Sequence, residues 1–308
     1  MSDEQKPSLD QVADGVHAWI QPDGTWWLNN AGAVVTDAGV LLVDTCATER
    51  RTRAFLSAVQ QISGDAPITF AVNTHLHGDH TYGNSQLPMS TVIIGHENTR
   101  AGILTDPVID GCPPFWTPLP DWGNVVRRPP TLTTLTSVTV HLGDRRIEVQ
   151  HPGHPAHTAG DLVVWLPDDR VLFVGDLLFH QVTPLVFMGS VEGAERVLDW
   201  IAAFEPGYVI PGHGPLINSS ELTSVLETHR RYYDLVLHTA QQGRRDGLPP
   251  LDAARRCALD TFAALPDSER IVLNLHRAYA DELGIEMNLI GALTDAVALN
   301  NGPMRTSV

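Results

Sequence analysis

Three histidines and an aspartate fall within six positions at His75-Leu76-His77-Gly78-Asp79-His80, directly behind the apolar run Ile68-Thr69-Phe70-Ala71-Val72. Imidazole nitrogens and carboxylate oxygens are the donors that zinc and similar first-row divalent ions accept. Alternate residues of an extended segment project to one side, so His75 and His77 can reach one ion while Asp79 and His80, just beyond, face a second. A lone histidine is ordinarily a core or surface residue, but three of them beside an acid at a strand-to-loop junction are seldom incidental. More donors stand at similar junctions. His151, His154 and His157 precede the strand-like run 162–166, Asp176 closes the buried-type run that starts at Val171, and His213 sits between Gly212 and Gly214 after Tyr208-Val209-Ile210. Singly, Asp176 fits a helix cap and His213 a turn residue; their shared position at strand ends is what points to chemistry.

In order and spacing these motifs resemble those of the metallo-β-lactamase fold superfamily. Its His-x-His-x-Asp-His signature matches residues 75–80, His-Thr-x-Gly-Asp matches His157 to Asp161, Gly-Asp matches Gly175-Asp176 and Gly-His-Gly matches Gly212-His213-Gly214, over roughly residues 15–218. The resemblance implies an α/β fold, the four-layer αβ/βα sandwich with a C-terminal helical extension. It also implies two divalent metal ions, zinc foremost: one held by His75, His77 and His157, the other by Asp79, His80 and His213, with Asp176 bridging. His154 rivals His157 as third ligand but ranks lower, because only His157 is followed by Thr-x-Gly-Asp; His151 and His154 are then loop residues. Asp44, closing Val40-Leu41-Leu42-Val43, matches an acid that orients ligands through hydrogen bonds. Two ions about 3.5–4 Å apart would bring the pKa of a shared water toward roughly 7 and so make hydroxide available at neutral pH, without a serine or cysteine nucleophile. They would also stabilise the oxyanion formed on attack at a carbonyl. Asp79 is the expected catalytic residue, orienting that nucleophile and shuttling its proton.

A closer resemblance, to actinobacterial aromatic polyketide cyclases of this fold, is carried by Gln21-Pro22-Asp23-Gly24-Thr25-Trp26, Asn29-Asn30-Ala31-Gly32, Asp121-Trp122-Gly123, Val163-Val164-Trp165-Leu166-Pro167 and Asn274-Leu275-His276-Arg277-Ala278. It implies a metal-dependent cyclase/thioesterase acting on an aromatic polyketide tethered to an acyl carrier protein, the metals polarising ketones for ring closure and aiding release from the thioester. Trp26, Trp27, Trp116 and Trp122 are candidate pocket residues, although packing of their loops onto the body explains them equally. The alternatives are a β-lactamase or another hydrolase of amides, lactones or thioesters. A non-hydrolytic metal-binding or redox-partner module would lack the orienting acid or add a cofactor domain; Asp79 is present, and the C-terminal part shows no Gly-rich nucleotide loop.

These side chains need strands to hold them. Residues 15–45 predict an antiparallel meander of Val16–Ile20, Trp26-Trp27-Leu28, 32–36 and 40–43, with a hairpin turn at Asp37-Ala38-Gly39. Phe55, Leu56, Val59 and Ile62 recur at helical spacing over 48–62, and a strand at 91–94 precedes a helix at 96–103, so helices cover two sheets. Residues 105–130, rich in proline and aromatics without periodicity, predict a functional loop such as a lid. Helices are expected over 219–242, 250–264, 267–282 and 285–299, giving a catalytic domain at 1–218 and a helical extension at 219–308 that walls the pocket or forms a homodimer surface. Tyr232, Tyr233 and His276 there fit helix packing better than a pocket.

With 308 residues, 43% of them apolar, the chain can bury a large core, and its net charge of −16 opposes binding to nucleic acid. The arginine pairs 127–128, 145–146, 230–231, 244–245 and 255–256 read as solvated surface, or as one basic face for an acidic carrier. Cys46, Cys112 and Cys257 lie too far apart for a C-x-x-C site or a disulfide framework. No signal-peptide pattern opens the sequence and no run of about 18 apolar residues suggests a membrane span, so the expected location is cytoplasmic.

Overall fold

The computed structural model describes residues 6–308. Its first half runs β1 (Ser8–Ala13), β2 (Val16–Ile20), β3 (Ala31–Thr36), β4 (Gly39–Val43), α1 (Glu49–Ser63), β5 (Ile68–Val72), α2 (Gly78–Thr81), β6 (Val92–His96), α3 (Glu97–Thr105), β7 (Trp116–Thr117) and β8 (Leu132–Thr134). The second half runs β9 (Ser137–Leu142), β10 (Arg145–Gln150), β11 (Val163–Leu166), β12 (Val171–Phe179), α4 (Val191–Ala202), β13 (Tyr208–His213), β14 (Ile217–Asn218), α5 (Ser219–Arg245), α6 (Pro250–Arg256), α7 (Arg270–Leu283), α8 (Leu289–Leu299) and β15 (Met304–Arg305).

Strand order is β1-β2-β3-β4-β5-β6-β8 in one sheet and β14-β13-β12-β11-β10-β9 in the other, while β15 pairs with β7 apart from both. The sheets pack face to face because their central strands are apolar on both sides. In β4, Leu41 and Val43 point to the layer between the sheets, where they meet Phe173, Val164 and Ile210. Val40 and Leu42 point the other way, onto Phe55 and Val59 of α1. Behind the second sheet, Val163, Trp165, Leu172 and Val209 join one cluster with residues of α4, α5, α7 and α8. The result is helix, sheet, sheet, helix, as expected. Pairing is parallel from β4 through β5 to β6, and between β12 and β13. Parallel strands deliver their C-terminal ends to one edge, where ligands of open α/β sheets bind.

Several local expectations are corrected. Trp26-Trp27-Leu28 is a turn, with Leu28 N–H donating to Thr25 O and Trp27 at φ 69, because both tryptophan rings pack against Trp116; β2 pairs with β3 instead. Residues 250–264 break at Cys257, whose ψ of 124 ends α6, and α8 starts only at Leu289, capped by Asn288. Helix α4 and strands β1, β9 and β10 add to the expected elements. The 105–130 loop carries β7, and its Trp116 and Trp122 are buried. Cys46 is buried, but Cys112 and Cys257 are only partly so, and all three are free thiols. Among the described residues no helix is long and apolar enough to cross a membrane.

Candidate metal centre

The edge where β4, β5, β12 and β13 end gathers the seven side chains. Asp44 follows β4 at φ 60, a left-handed conformation that side chains seldom adopt outside sites where surrounding structure holds them. His75 and His77 follow β5. Asp79 and His80 lie on the single turn of α2, not on extended chain, and Thr81 Oγ1 ties that turn to His77 O at 2.9 Å. His157 opens a turn closed by Asp161, which accepts from Thr158 N and Oγ1. Asp176 lies within β12, not at its end, beyond Gly175 at φ 51, where the register with β13 slips. His213 ends β13. Gly212 beside it has to be glycine, since a Cβ there would overlap Asp176 Oδ1.

Two donor groups result, His75/His77/His157/Asp176 and Asp79/His80/His213, the donor atoms within each lying within 4.8 Å of one another. His77 Nδ1 stands 3.1 Å from His75 Nε2 and 2.9 Å from His157 Nε2. Asp176 Oδ2 is 3.3 Å from His157 Nε2 and 3.4 Å from His213 Nε2, so it faces both groups. Asp79 Oδ2 lies 3.2 Å from His213 Nε2 and 3.7 Å from His80 Nε2.

Outer hydrogen bonds decide which ring nitrogens are free. His157 Nδ1–H donates to Leu185 O (2.7 Å) and His213 Nδ1–H to Gly24 O (2.9 Å), carbonyls that can only accept. His80 Nδ1–H donates to Asp44 Oδ2 at 2.8 Å. Thr74 Oγ1–H donates to the same oxygen at 2.7 Å, which leaves Thr74 Oγ1 to accept from His75 Nδ1–H at 3.1 Å. Each of these rings therefore keeps Nδ1–H outward and turns Nε2 inward, the nitrogen through which imidazole binds a metal once it is unprotonated. His77 is the reverse, its Nε2 on Met188 Sδ at 3.3 Å and its Nδ1 inward. Lone pairs converging at about 3 Å repel unless a cation lies among them. Two buried central atoms, His80 Nε2 and Asp176 Oδ1, stand 3.1 Å apart yet make no hydrogen bond. The donor set and these orphaned atoms fit divalent ions.

Electrostatics divides the histidines along the same line. Burial holds His75 well below the usual imidazole range, lowers His77, and takes His157 down to about 3. For His80 and His213 burial acts the same way, but Asp176 and Asp79 outweigh it, lifting His80 well above its ordinary value and His213 up to about 9. Burial alone would raise Asp176; His213, His80, His75 and His157 together hold it well below the carboxylate range.

His151 and His154 stand outside both groups: His151 Nδ1 bonds Asp161 O, and the half-buried His154 pairs its Nδ1 with Pro155 O. Trp26, Trp27, Trp116 and Trp122 form one stack. Trp27 lies edge-on to Trp116 (5.2 Å), tilted over Trp122 (4.6 Å) and stacked on Tyr82 just past the metal-loop turn (6.3 Å), while Trp26 meets Trp116 at 5.5 Å. Trp26, Trp116 and Trp122 are buried, and Trp27 keeps partial exposure. Sequence reasoning missed Thr74, although it directly precedes His75. It also missed Phe187, stacked on His77 at 5.0 Å, and Met188. The carbonyls of Gly24 and Leu185 have no signal in residue type.

Residues 24–213, more than half of the chain, match the profile of the metallo-beta-lactamase superfamily. The chain is 25% identical to the 2,4-dinitroanisole O-demethylase subunit alpha of Nocardioides sp. (strain JS1661), over 68% of this chain but only 59% of that subunit's length. It is 26% identical to the hydroxyacylglutathione hydrolase of Methylococcus capsulatus, over 71% of this chain and 73% of that one. Among solved structures, the stereoselective inverting sec-alkylsulfatase Pisa1 from Pseudomonas sp. superposes with a TM-score of 0.66 at 17% identity, covering 92% of this chain and 51% of that one. A share that large reaches past His213 into the C-terminal helices.

Proposed function

Since the chain belongs to the metallo-β-lactamase superfamily, we propose that it is a binuclear metal-dependent hydrolase that breaks acyl thioesters, in its natural setting those of a carrier-tethered aromatic polyketide, as a cyclase/thioesterase. One observation carries the reading: seven buried or half-buried donors converge, with the ring nitrogens that a cation needs left free by outer hydrogen bonds. His75, His77, His157 and Asp176 would hold one ion, and Asp79, His80 and His213, with Asp176 shared, the other. Bound there, divalent ions supply Lewis acidity toward a carbonyl and a nucleophile at neutral pH. Asp79, the more open of the two ligand acids, orients the attacking water and holds the proton that it gives up. The acyl carbon gains the oxygen, the C–S bond breaks, and the departing thiolate takes that proton. Phe187 and Met188 exclude water from the His77 side, and Trp27 offers a flat apolar surface to an aromatic substrate. The thioester is supported by the hydroxyacylglutathione hydrolase relative, and the polyketide by the closer sequence resemblance along both the body and α7.

Elemental analysis should find close to two transition-metal ions per chain and a loss of the second in Asp79→Ala or His80→Ala; full activity without any metal would refute the reading. Parallel incubation with an acyl thioester, a bicyclic polyketide intermediate, nitrocefin and 2,4-dinitroanisole decides the substrate. Thioester cleavage together with conversion of the polyketide is expected. Turnover of nitrocefin alone would instead identify a β-lactamase.

A further inference from the structure

His157 owes its orientation to the carbonyl of Leu185, a residue in the irregular segment between β12 and α4. Such a segment has no ladder of its own to fix a carbonyl to within a few tenths of an ångström. The flanking residues are fixed by one side chain. Asn274 Oδ1 accepts from Val186 N–H at 2.6 Å and its Nδ2 donates to Pro184 O at 2.9 Å, so the amide grips the chain on both sides of Leu185. The partners settle which end of the amide is which, since Val186 N–H can only donate and Pro184 O can only accept. The second Nδ2 hydrogen goes to Tyr232 Oη on α5 at 2.8 Å, and both Asn274 and Tyr232 are fully buried. Asn274 sits in the first half of α7, about 60 residues beyond the last metal-ligand motif.

We propose that Asn274 is a positioning residue for the His75/His77/His157 group: through Pro184 and Val186 it aims the Leu185 carbonyl, and through that carbonyl the Nε2 of His157. The C-terminal helices thus take part in metal binding without contributing a ligand. The inference rests on the metal-centre reading above, and its test separates the two. Full-length protein stripped by chelator is titrated with cobalt(II), followed by absorbance and equilibrium dialysis. Unaltered protein should take up two ions; if it takes up none, the metal reading fails before any Asn274 variant is considered. Asn274→Leu, close in size but without hydrogen bonds, is then placed in two backgrounds. In His213→Ala, where the His75/His77/His157 group remains intact, cobalt affinity should fall about 10- to 100-fold, the usual cost of losing a group that orients a ligand. In His157→Ala, where the route from Asn274 to the metal is already cut, the same change should alter affinity less than about threefold. Equal losses in both backgrounds, or no loss in the first, would overturn the proposal, because a merely structural role would weaken both alike. Should Asn274→Leu fail to fold, Asn274→Asp keeps the acceptor for Val186 and loses the donor for Pro184. It should give a smaller loss confined to the His213→Ala background, and the same pattern of equal or absent losses overturns the proposal.

Discussion

At Asp44 one carboxylate sets two imidazoles at once. Its Oδ2 takes His80 Nδ1–H directly and Thr74 Oγ1–H, through which His75 Nδ1 is held, while Oδ1 takes Thr74 N–H at 2.7 Å. In Asp44→Asn the fold keeps an acceptor for Thr74 N–H but turns an NH2 toward two donors, leaving His80 without a partner for its proton. Zinc affinity at the Asp79/His80/His213 group should fall about 10- to 100-fold, read by competition with a chromogenic chelator. Unchanged affinity would remove Asp44 from the site's support. A second consequence follows from the charges. His213 is lifted to about 9, so in the metal-free protein at pH 7 its inward nitrogen carries a proton that an ion must displace, and His80 is raised in the same direction. Affinity for the second ion should therefore rise with pH up to about 9, with net proton release on binding at pH 7. Calorimetry in buffers of different ionisation enthalpy measures that release, and an absence of proton release would contradict the protonation pattern.

The strands that deliver the ligands are fastened to helices by buried polar contacts, and one of these titrates. His229 of α5 donates from Nδ1 to Val225 O (2.8 Å) and accepts Phe179 N–H of β12 on Nε2 (2.9 Å); the Phe179 ring in turn stacks on His213 at 5.3 Å. Burial takes His229 down to about 4. The unfolded chain therefore binds a proton at this position between about pH 6.5 and 4 that the folded chain refuses, so stability is complete above 6.5 and is lost as pH falls toward 4. The loss should approach roughly 3 kcal/mol, and His229→Leu should flatten the pH dependence of the melting temperature across that window. An unaltered slope would mean that other groups carry it. At this scale the sequence is legible where chemistry and periodicity coincide. The donors lie in short motifs at strand ends, and Phe55 and Val59 mark α1. Legibility stops at Trp26-Trp27-Leu28, where apolar residues suit a strand but both tryptophans are drawn into the tryptophan stack. It stops again at 250–264, where helical composition continues past the break at Cys257. Helix α4 stands outside the expectations although Val191, Ala194, Val197, Leu198 and Ile201 share one buried face. The carbonyls of Gly24 and Leu185 could not have been foreseen, because any residue supplies one.

Across the whole molecule, the charge and the core bear differently on the reading. Many of the arginines that could have formed a basic face already have an acid of their own: Arg127 with Asp110, Arg145 with Asp169, Arg146 with Glu148, Arg230 with Asp199, Arg244 with Glu282 and Arg255 with Asp252. A carrier would have to be held by shape more than by charge. The core is shared between the sheet that carries Asp176 and His213 and the helices after residue 218: Leu172, Val174 and Val209 lie in the same cluster as Tyr232, Val236, Ile271 and Leu275. The N-terminal end of α7 also reaches the turn that holds His213. Glu269 accepts from Trp26 Nε1 at 2.7 Å, and the buried Arg270 lies 4.5 Å over the Trp26 ring and donates to Thr183 O at 2.9 Å. A chain ending at residue 218 would expose that apolar face and release both Gly24 and Leu185. Residues 1–218 alone should therefore lack a cooperative thermal transition, bind a hydrophobic dye and retain less than two ions per chain, as exposed core surface of this extent requires. A truncated chain that melts cooperatively and holds both metals would show instead that the helices are an appendage, and that the sandwich sets its own ligands.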